Sequence, residues 1–286
     1  MEFFQVDVFA DRAYEGNPLA VFPDCSDVSS DQMQAIAHEM NLSETTFVTE
    51  ASGDSYRVRI FTPHEELPFA GHPTLGTAWV LRELGLVSGD VYYQHSGAEK
   101  TKILEDRGML WFERNGRADP DLEDSKPTIR SEIAEAIGLV ERDLDLQARE
   151  IGRPGLLRPG VANAGLEQLM IPVRDLETLA RCVPRVDRLA ALPALGVYVF
   201  TAVKAGGLRS RGFFPGVGVP EDPGTGSAAA ALGLYLARRL GKVDFEVVQG
   251  VEVGRPCRIH LSASDGVVRI GGACSLVLRG TLERLP

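Results

Sequence analysis

The 286-residue sequence predicts an α+β protein built from two similar lobes. Two observations predict it. Segments with the period-two alternation of half-buried strands outnumber helical segments and do not alternate with them in a regular βαβ array. The chain also repeats itself. RIFTP at Arg59–Pro63 returns 152 residues later as RGFFP at Arg211–Pro215, and TFVT at Thr46–Thr49 returns at the same offset as YVFT at Tyr198–Thr201. Pro73 and Gly76 of GHPTLGTA match Pro223 and Gly226 of EDPGTGSA at an offset of 150, so the second connecting loop is two residues shorter. Three matches in one order at nearly one offset predict two copies of a strand–loop–helix unit, at a spacing well beyond that of solenoid repeats. The lobes are expected at 1–118, completed by 276–286, and at 119–275, with the boundary in the polar stretch Asn115–Ser131.

The elements follow in order. Phe4, Val6 and Val8 alternate with Gln5 and Asp7, a strand. Ser30–Met40 reads as a helix. Glu44 stands at the start of the strand that holds TFVT. Tyr56, Val58 and Ile60 alternate with Arg57 and Arg59, another strand. Thr74–Leu84 reads as a helix ended by Gly85. Gly226–Leu240 reads as a third, ended by Gly241, with Arg238 and Arg239 in the last turn where the dipole favours cations.

Composition bounds the function. The chain is 44% hydrophobic and 24% charged, an ordinary globular balance, and its net charge of −10 argues against nucleic acid or an anionic membrane as the main partner. Its four cysteines (Cys25, Cys182, Cys257, Cys274) lack disulfide or zinc spacing and read as reduced, buried thiols of a cytoplasmic protein. No signal-peptide pattern opens the sequence, and no uninterrupted apolar run reaches the roughly 18 residues a membrane span needs. The five histidines are scattered without metal-ligand spacing, so no metal is expected.

In each copy a proline stands where a first helical residue belongs. That places His72 and Asp222 at the two N-caps. Asp is a preferred cap, so Asp222 is read as a cap or as a catalyst. His is not, and His72 is read as a structural histidine or as one of two titratable groups facing each other across a cleft. Two helix N-termini there would offer free N–H groups and positive dipole to a carboxylate substrate, and the hydroxyls of Thr77 and Ser227 would add hydrogen bonds. Glu44 is a solvated strand-end carboxylate or a general base. Its counterpart in the second copy is Gly196. A dinucleotide-binding reading rests on Gly224-Thr225-Gly226-Ser227-Ala228-Ala229, with Asp244 twenty residues on. Its context fails: the glycines follow the proline-broken PGVGVPEDP, and Asp244 begins its strand rather than ending it. No Walker loop and no GxSxG elbow is present.

Almost end to end, the sequence resembles the phenazine biosynthesis F-like (PhzF-like) family. VDVFADRAYEGNPLAVF, NLSETTFV, RIFTPHEELPFAGHPTLG, EDPGTGSAAAALG and QGVEVGRPCRI carry the resemblance. It implies a diaminopimelate epimerase-like fold, in which each lobe is a curled, mostly antiparallel sheet around a central helix. It implies a cofactor-independent isomerase that moves a proton within a small carboxylate, on the model of trans-2,3-dihydro-3-hydroxyanthranilate, and a homodimer. By the same resemblance Glu44 moves the proton, His72 and Asp222 are its partners, and Gly71, Gly226 and Ser227 bind substrate. Epimerases of this fold use paired cysteines where this chain has His72 and Asp222, which disfavours a two-thiol racemase. Gly224 stands where the motif usually has Ala, which loosens the turn and removes no functional group. A binding protein that keeps the cleft without catalysis is the alternative of another class.

Overall fold

The computed structural model describes residues 1–106, 108–122, 128–192, 194, 196–203 and 206–286. The chain forms two compact units, Met1–Glu113 with Gly271–Pro286, and Arg114–Ile270. The divisions fall inside the strands Met109–Asn115 and Val267–Gly272. Of the polar stretch Asn115–Ser131, residues 123–127 lie outside the described residues.

The first unit runs β1 (Glu2–Val8), β2 (Asn17–Phe22), α1 (Ser30–Met40), β3 (Glu44–Ser52), β4 (Ser55–Phe61), β5 (Glu66–Leu67), α2 (Gly71–Glu83), β6 (Val91–Ser96) and β7 (Glu99–Asp106). After β8 (Met109–Asn115) the second unit runs β9 (Arg117–Asp121), α3 (Ile129–Ala136), β10 (Leu146–Gln147), β11 (Leu156–Leu157), β12 (Gly160–Asn163), β13 (Glu167–Pro172), α4 (Leu176–Ala180), α5 (Val186–Leu189), β14 (Gly196–Val203), β15 (Gly207–Phe214), β16 (Val219–Asp222), α6 (Gly226–Leu240), β17 (Val243–Gln249) and β18 (Cys257–Ser264). After β19 (Val267–Gly272), β20 (Cys274–Thr281) pairs antiparallel with β1, which returns the chain end to the first unit.

The fold is α+β, and the internal repeat is visible in strand pairing. In the first unit β1–β2 is antiparallel, β2–β3 parallel, β3–β4 antiparallel, β4–β6 parallel and β6–β7 antiparallel. In the second, β12–β13, β13–β14, β14–β15, β15–β17 and β17–β18 repeat the same alternation. Glu44 opens β3 and Gly196 opens β14, 152 residues apart, and β4 and β15 also open 152 residues apart.

In each unit the strands enclose one helix. α2 packs on β1, β2 and β3, and its residues Gly71–Ala78 are all buried, as a helix enclosed on every side requires. Gly76 is the close-approach point: a Cβ there would lie 2.6 Å from Leu19 Cδ2 and 2.7 Å from Val8 Cγ2. α6 packs on β9, β12, β13, β17 and β18, and its alanine run Ala228–Ala231 is fully buried, which explains why the run is small and apolar. α1 covers β3 and β4 through Met33, Ile36 and Ala37, over Phe22, Phe47 and Phe61, whose rings pack at centroid distances of 5.0 and 5.6 Å. Its Ser29/Gln32 capping box satisfies two of the orphan donors at its start.

The matching sequences RIFTP and RGFFP form matching clamps. Arg59 donates from Nε and Nη2 to Glu66, and Arg211 donates the same way to Glu221. Both guanidinium carbons sit 5.0 Å from the centroid of the phenylalanine two residues on, Phe61 and Phe213. Each clamp ties a hairpin strand to the segment that leads into the enclosed helix.

Candidate functional site

Glu44 is placed by β3. Its Cα pairs with Leu19 across the parallel β2–β3 ladder, and its side chain is 16% exposed. His72 lies in the first turn of α2 and is almost fully buried. Its Nε2 faces Glu44 Oε2 at 3.6 Å and makes no hydrogen bond among the described residues. Burial holds the imidazole pKa down at about 3, an effect partly offset by the Pro18 carbonyl, which accepts from the ring in its protonated form, so His72 is neutral at physiological pH. A neutral imidazole beside a carboxylate can donate or accept one hydrogen bond without adding charge.

The other edge of the ring is held by residues that the sequence reading did not single out. Asn17, fully buried at the start of β2, brings Nδ2 to 3.2 Å from His72 Nδ1. Ser43, the residue before Glu44, donates from Oγ to Asn17 Oδ1 at 3.3 Å. Asn17 thus bridges the helix that carries His72 and the strand that carries Glu44. EGNPLAVF displays it, but its partners come from elsewhere in the chain.

The helix starts differ from those expected. α2 begins at Gly71 with Ala70 as its N-cap, which puts His72 at the second helical position and Pro73 at the third. Proline is tolerated there because first-turn N–H groups have no intrahelical partner. α6 begins at Gly226 with Thr225 as its N-cap, so Asp222 is not a cap but the last residue of β16. Neither His72 nor Asp222 is therefore an N-cap. Asp222 Oδ2 accepts a hydrogen bond from Thr225 Oγ1. Gln249, fully buried at the end of β17, donates to the Asp222 carbonyl at 2.8 Å and to Thr225 Oγ1 at 3.0 Å, and accepts from the Thr225 backbone N–H at 3.1 Å. Tyr198 donates to the same Gln249 Oε1 at 2.8 Å. This network fixes the turn before α6, where Gly226 and Ser227 occupy the first two helical positions.

The remaining expectations divide. Gly71 is the first residue of α2, where backbone N–H groups are unpaired within the helix. Thr77 is fully buried, and its hydroxyl donates to Thr46 Oγ1 at 2.9 Å, which ties α2 to β3 rather than presenting a donor to a ligand. Burial pushes the thiols of Cys25, Cys182 and Cys274 up to about 12, which makes them poor acids and bases. Among the described residues no three His, Cys, Asp or Glu side chains are grouped to hold a metal ion, and no helix is long and apolar enough to cross a membrane. The glycines of the dinucleotide-like segment do follow a strand, β16, contrary to the sequence reading. But β16 is antiparallel to β15 while β17 is parallel to it, so β16–α6–β17 is not the parallel crossover that a dinucleotide site needs.

Comparison with known proteins gives one answer at three levels. A sequence profile described as "Phenazine biosynthesis-like protein" matches residues 6–280. The trans-2,3-dihydro-3-hydroxyanthranilate isomerase of Pseudomonas aeruginosa is 37% identical over 278 residues, covering 93% of this chain and 91% of that protein. A PhzF-family phenazine biosynthesis protein of Bacillus anthracis superposes with a TM-score of 0.83 at 24% identity, covering 98% of each chain. The fold extends to a hydroxyproline epimerase from Agrobacterium vitis, with a TM-score of 0.62 at 10% identity over 98% of this chain and 91% of that one.

Proposed function

Because this chain belongs to the phenazine biosynthesis-like family and is an isomerase, we propose that it moves a proton within a small cyclic or amino-acid-like carboxylate, with trans-2,3-dihydro-3-hydroxyanthranilate as the model substrate. The observation that carries the reading is the Glu44–His72 pair, a carboxylate 3.6 Å from a buried neutral imidazole at the start of an enclosed helix.

Glu44 takes a proton from one carbon of the substrate, becomes a carboxyl group, and returns the proton at another carbon. Two electrons of the broken C–H bond shift the double bond, and the enzyme ends as it began. His72 stays neutral throughout and orients the carboxyl group. Asp222, the Gly226/Ser227 helix start and Gly71 are assigned to the substrate's polar groups and carboxylate, on the repeat and on the family resemblance. Such a reaction needs no external electron acceptor, which supports a cofactor-independent enzyme. A homodimer in the cytoplasm completes the proposal.

The test is conversion of the model substrate by purified, chelator-treated protein with nothing added. Turnover supports the reading. Tight binding of this and related carboxylates without conversion would instead favour a binding protein of the same fold.

A further inference from the structure

Asn17 sits at one edge of the His72 ring and Glu44 at the other, and the chemistry of both edges must agree. Two arrangements are self-consistent. In one, Asn17 Nδ2 donates to His72 Nδ1, Nε2 carries the ring proton and points it at Glu44, and Ser43 donates to Asn17 Oδ1. In the other, Nδ1 carries the proton and gives it to a carbonyl oxygen, either that of a flipped Asn17 amide or that of Pro18, and the Nε2 lone pair faces Glu44. With Glu44 ionised, the second arrangement sets a lone pair against a carboxylate oxygen 3.6 Å away in a buried setting, where such repulsion is poorly screened. The first turns the same contact into an attraction. The observed geometry matches it at the two Asn17 joints, Asn17 Nδ2 to His72 Nδ1 at 3.2 Å and Ser43 Oγ to Asn17 Oδ1 at 3.3 Å, and leaves His72 Nε2 facing Glu44 Oε2 at 3.6 Å, just beyond hydrogen-bond distance.

We propose that Asn17 is a positioning residue that sets the His72 tautomer, with the ring proton on Nε2 directed at Glu44, and that Ser43 holds the Asn17 amide in the orientation this requires. Its catalytic meaning rests on the reading that Glu44 moves the substrate proton. An Nε2–H donor steadies the carboxylate in one rotamer before it receives a proton, and the ring gains no charge in doing so. Asn17 itself is held in place by the turn before it. Gly16 has φ +73°, and a Cβ there would lie 2.4 Å from the Val8 carbonyl oxygen, so the entry to β2 follows one path.

The tautomer is read directly by two-bond 1H–15N NMR on protein with 15N-labelled histidine, with His72 assigned by its loss in His72→Gln. In the wild-type enzyme Nδ1 should be the unprotonated nitrogen and Nε2 the protonated one; an Nδ1–H signature overturns the proposal. Asn17→Leu removes the amide and leaves the Pro18 carbonyl as the partner at that edge. The ring should then switch to Nδ1–H, with kcat down by about 10²-fold, the scale of a misplaced reacting group, and KM little changed. Retention of Nε2–H in a folded Asn17→Leu protein would also overturn it. Should that variant not fold, the wild-type spectrum and the milder Ser43→Ala, expected to mix the two tautomers, still decide. None of these spectra needs turnover, so failure of the tautomer assignment and failure of the proposed reaction are separately visible.

Discussion

Where the first unit carries Glu44, the second carries Gly196, each the first residue of its strand and each set on a parallel neighbour. The reason for the glycine is Phe214. A Cβ on Gly196 would lie 2.2 Å from its ring and 2.5 Å from Gln168 Oε1. One copy of the repeat thus has a carboxylate at this point, and the other has an aromatic ring packed over bare backbone. The clamps differ in the same spirit. Arg59 and Glu66 are 28% and 41% exposed, whereas Arg211 and Glu221 are 8% and 15% exposed, and Arg211 also donates to the carbonyls of Leu179, Ala180 and Cys182. The repeated strand path sets backbone positions, and individual substitutions then decide which copy carries a carboxylate at this point and which carries a packed ring.

That contrast can be broken one residue at a time. The largest effect is expected at Glu44. Glu44→Gln keeps the side-chain shape and removes the base, so kcat should fall ~10²–10⁴-fold while the urea midpoint holds; a collapse of both would mark a structural residue. Next come the clamps. Arg211→Met strands the Glu221 carboxylate and should cost about 3–5 kcal/mol in urea unfolding, whereas Arg59→Met should cost ~1 kcal/mol or less. Equal losses would mean that burial does not separate the two. Gly196→Ala should cost about 1–3 kcal/mol through overpacking, and a cycle with Phe214→Ala should show coupling between the sites. Additive losses would clear the ring of responsibility.

The last expected effect is a pH slope. His72 has a folded pKa of about 3 against an ordinary 6.5, so the unfolded chain takes up a proton below about 6.5 that the folded chain refuses until about 3. Its contribution to stability is intact above that window and is lost as the pH falls through it. His72→Gln should therefore flatten the acid side of a plot of urea midpoint against pH, by up to one proton, and leave the neutral side parallel to wild type.

Much of this arrangement was readable in the sequence because its signals are local. α1 and α6 run over the expected residues, with the left-handed Asn41 (φ 51°) and the positive-φ Gly241 (φ 77°) supplying the stops. Glu44 opens its strand as expected, and the repeat survives in the pairing pattern. The start of α2 and the caps before α2 and α6 were not readable. The proline in each copy reads as a first helical residue, but α2 begins two residues before Pro73, and Pro223 lies in the turn ahead of α6, whose N-cap is Thr225. The two-residue difference between the loops hid this. Asn17 and Gln249 were missed for another reason: their partners lie up to 55 and 51 residues away in sequence, and only the folded sheets bring them together.

The central claim is that Glu44 carries a substrate proton between two carbons. The direct measurement is isotope exchange: the model substrate is incubated in heavy water with wild-type enzyme and with Glu44→Gln, and carbon-bound deuterium is followed by NMR. The wild-type enzyme should place deuterium on the carbon that gains the proton at up to the rate of turnover, set by how far the protonated Glu44 exchanges with solvent before delivery, and the variant should give neither product nor deuterium above the uncatalysed background. Deuterium incorporated by Glu44→Gln at the wild-type rate would contradict the claim.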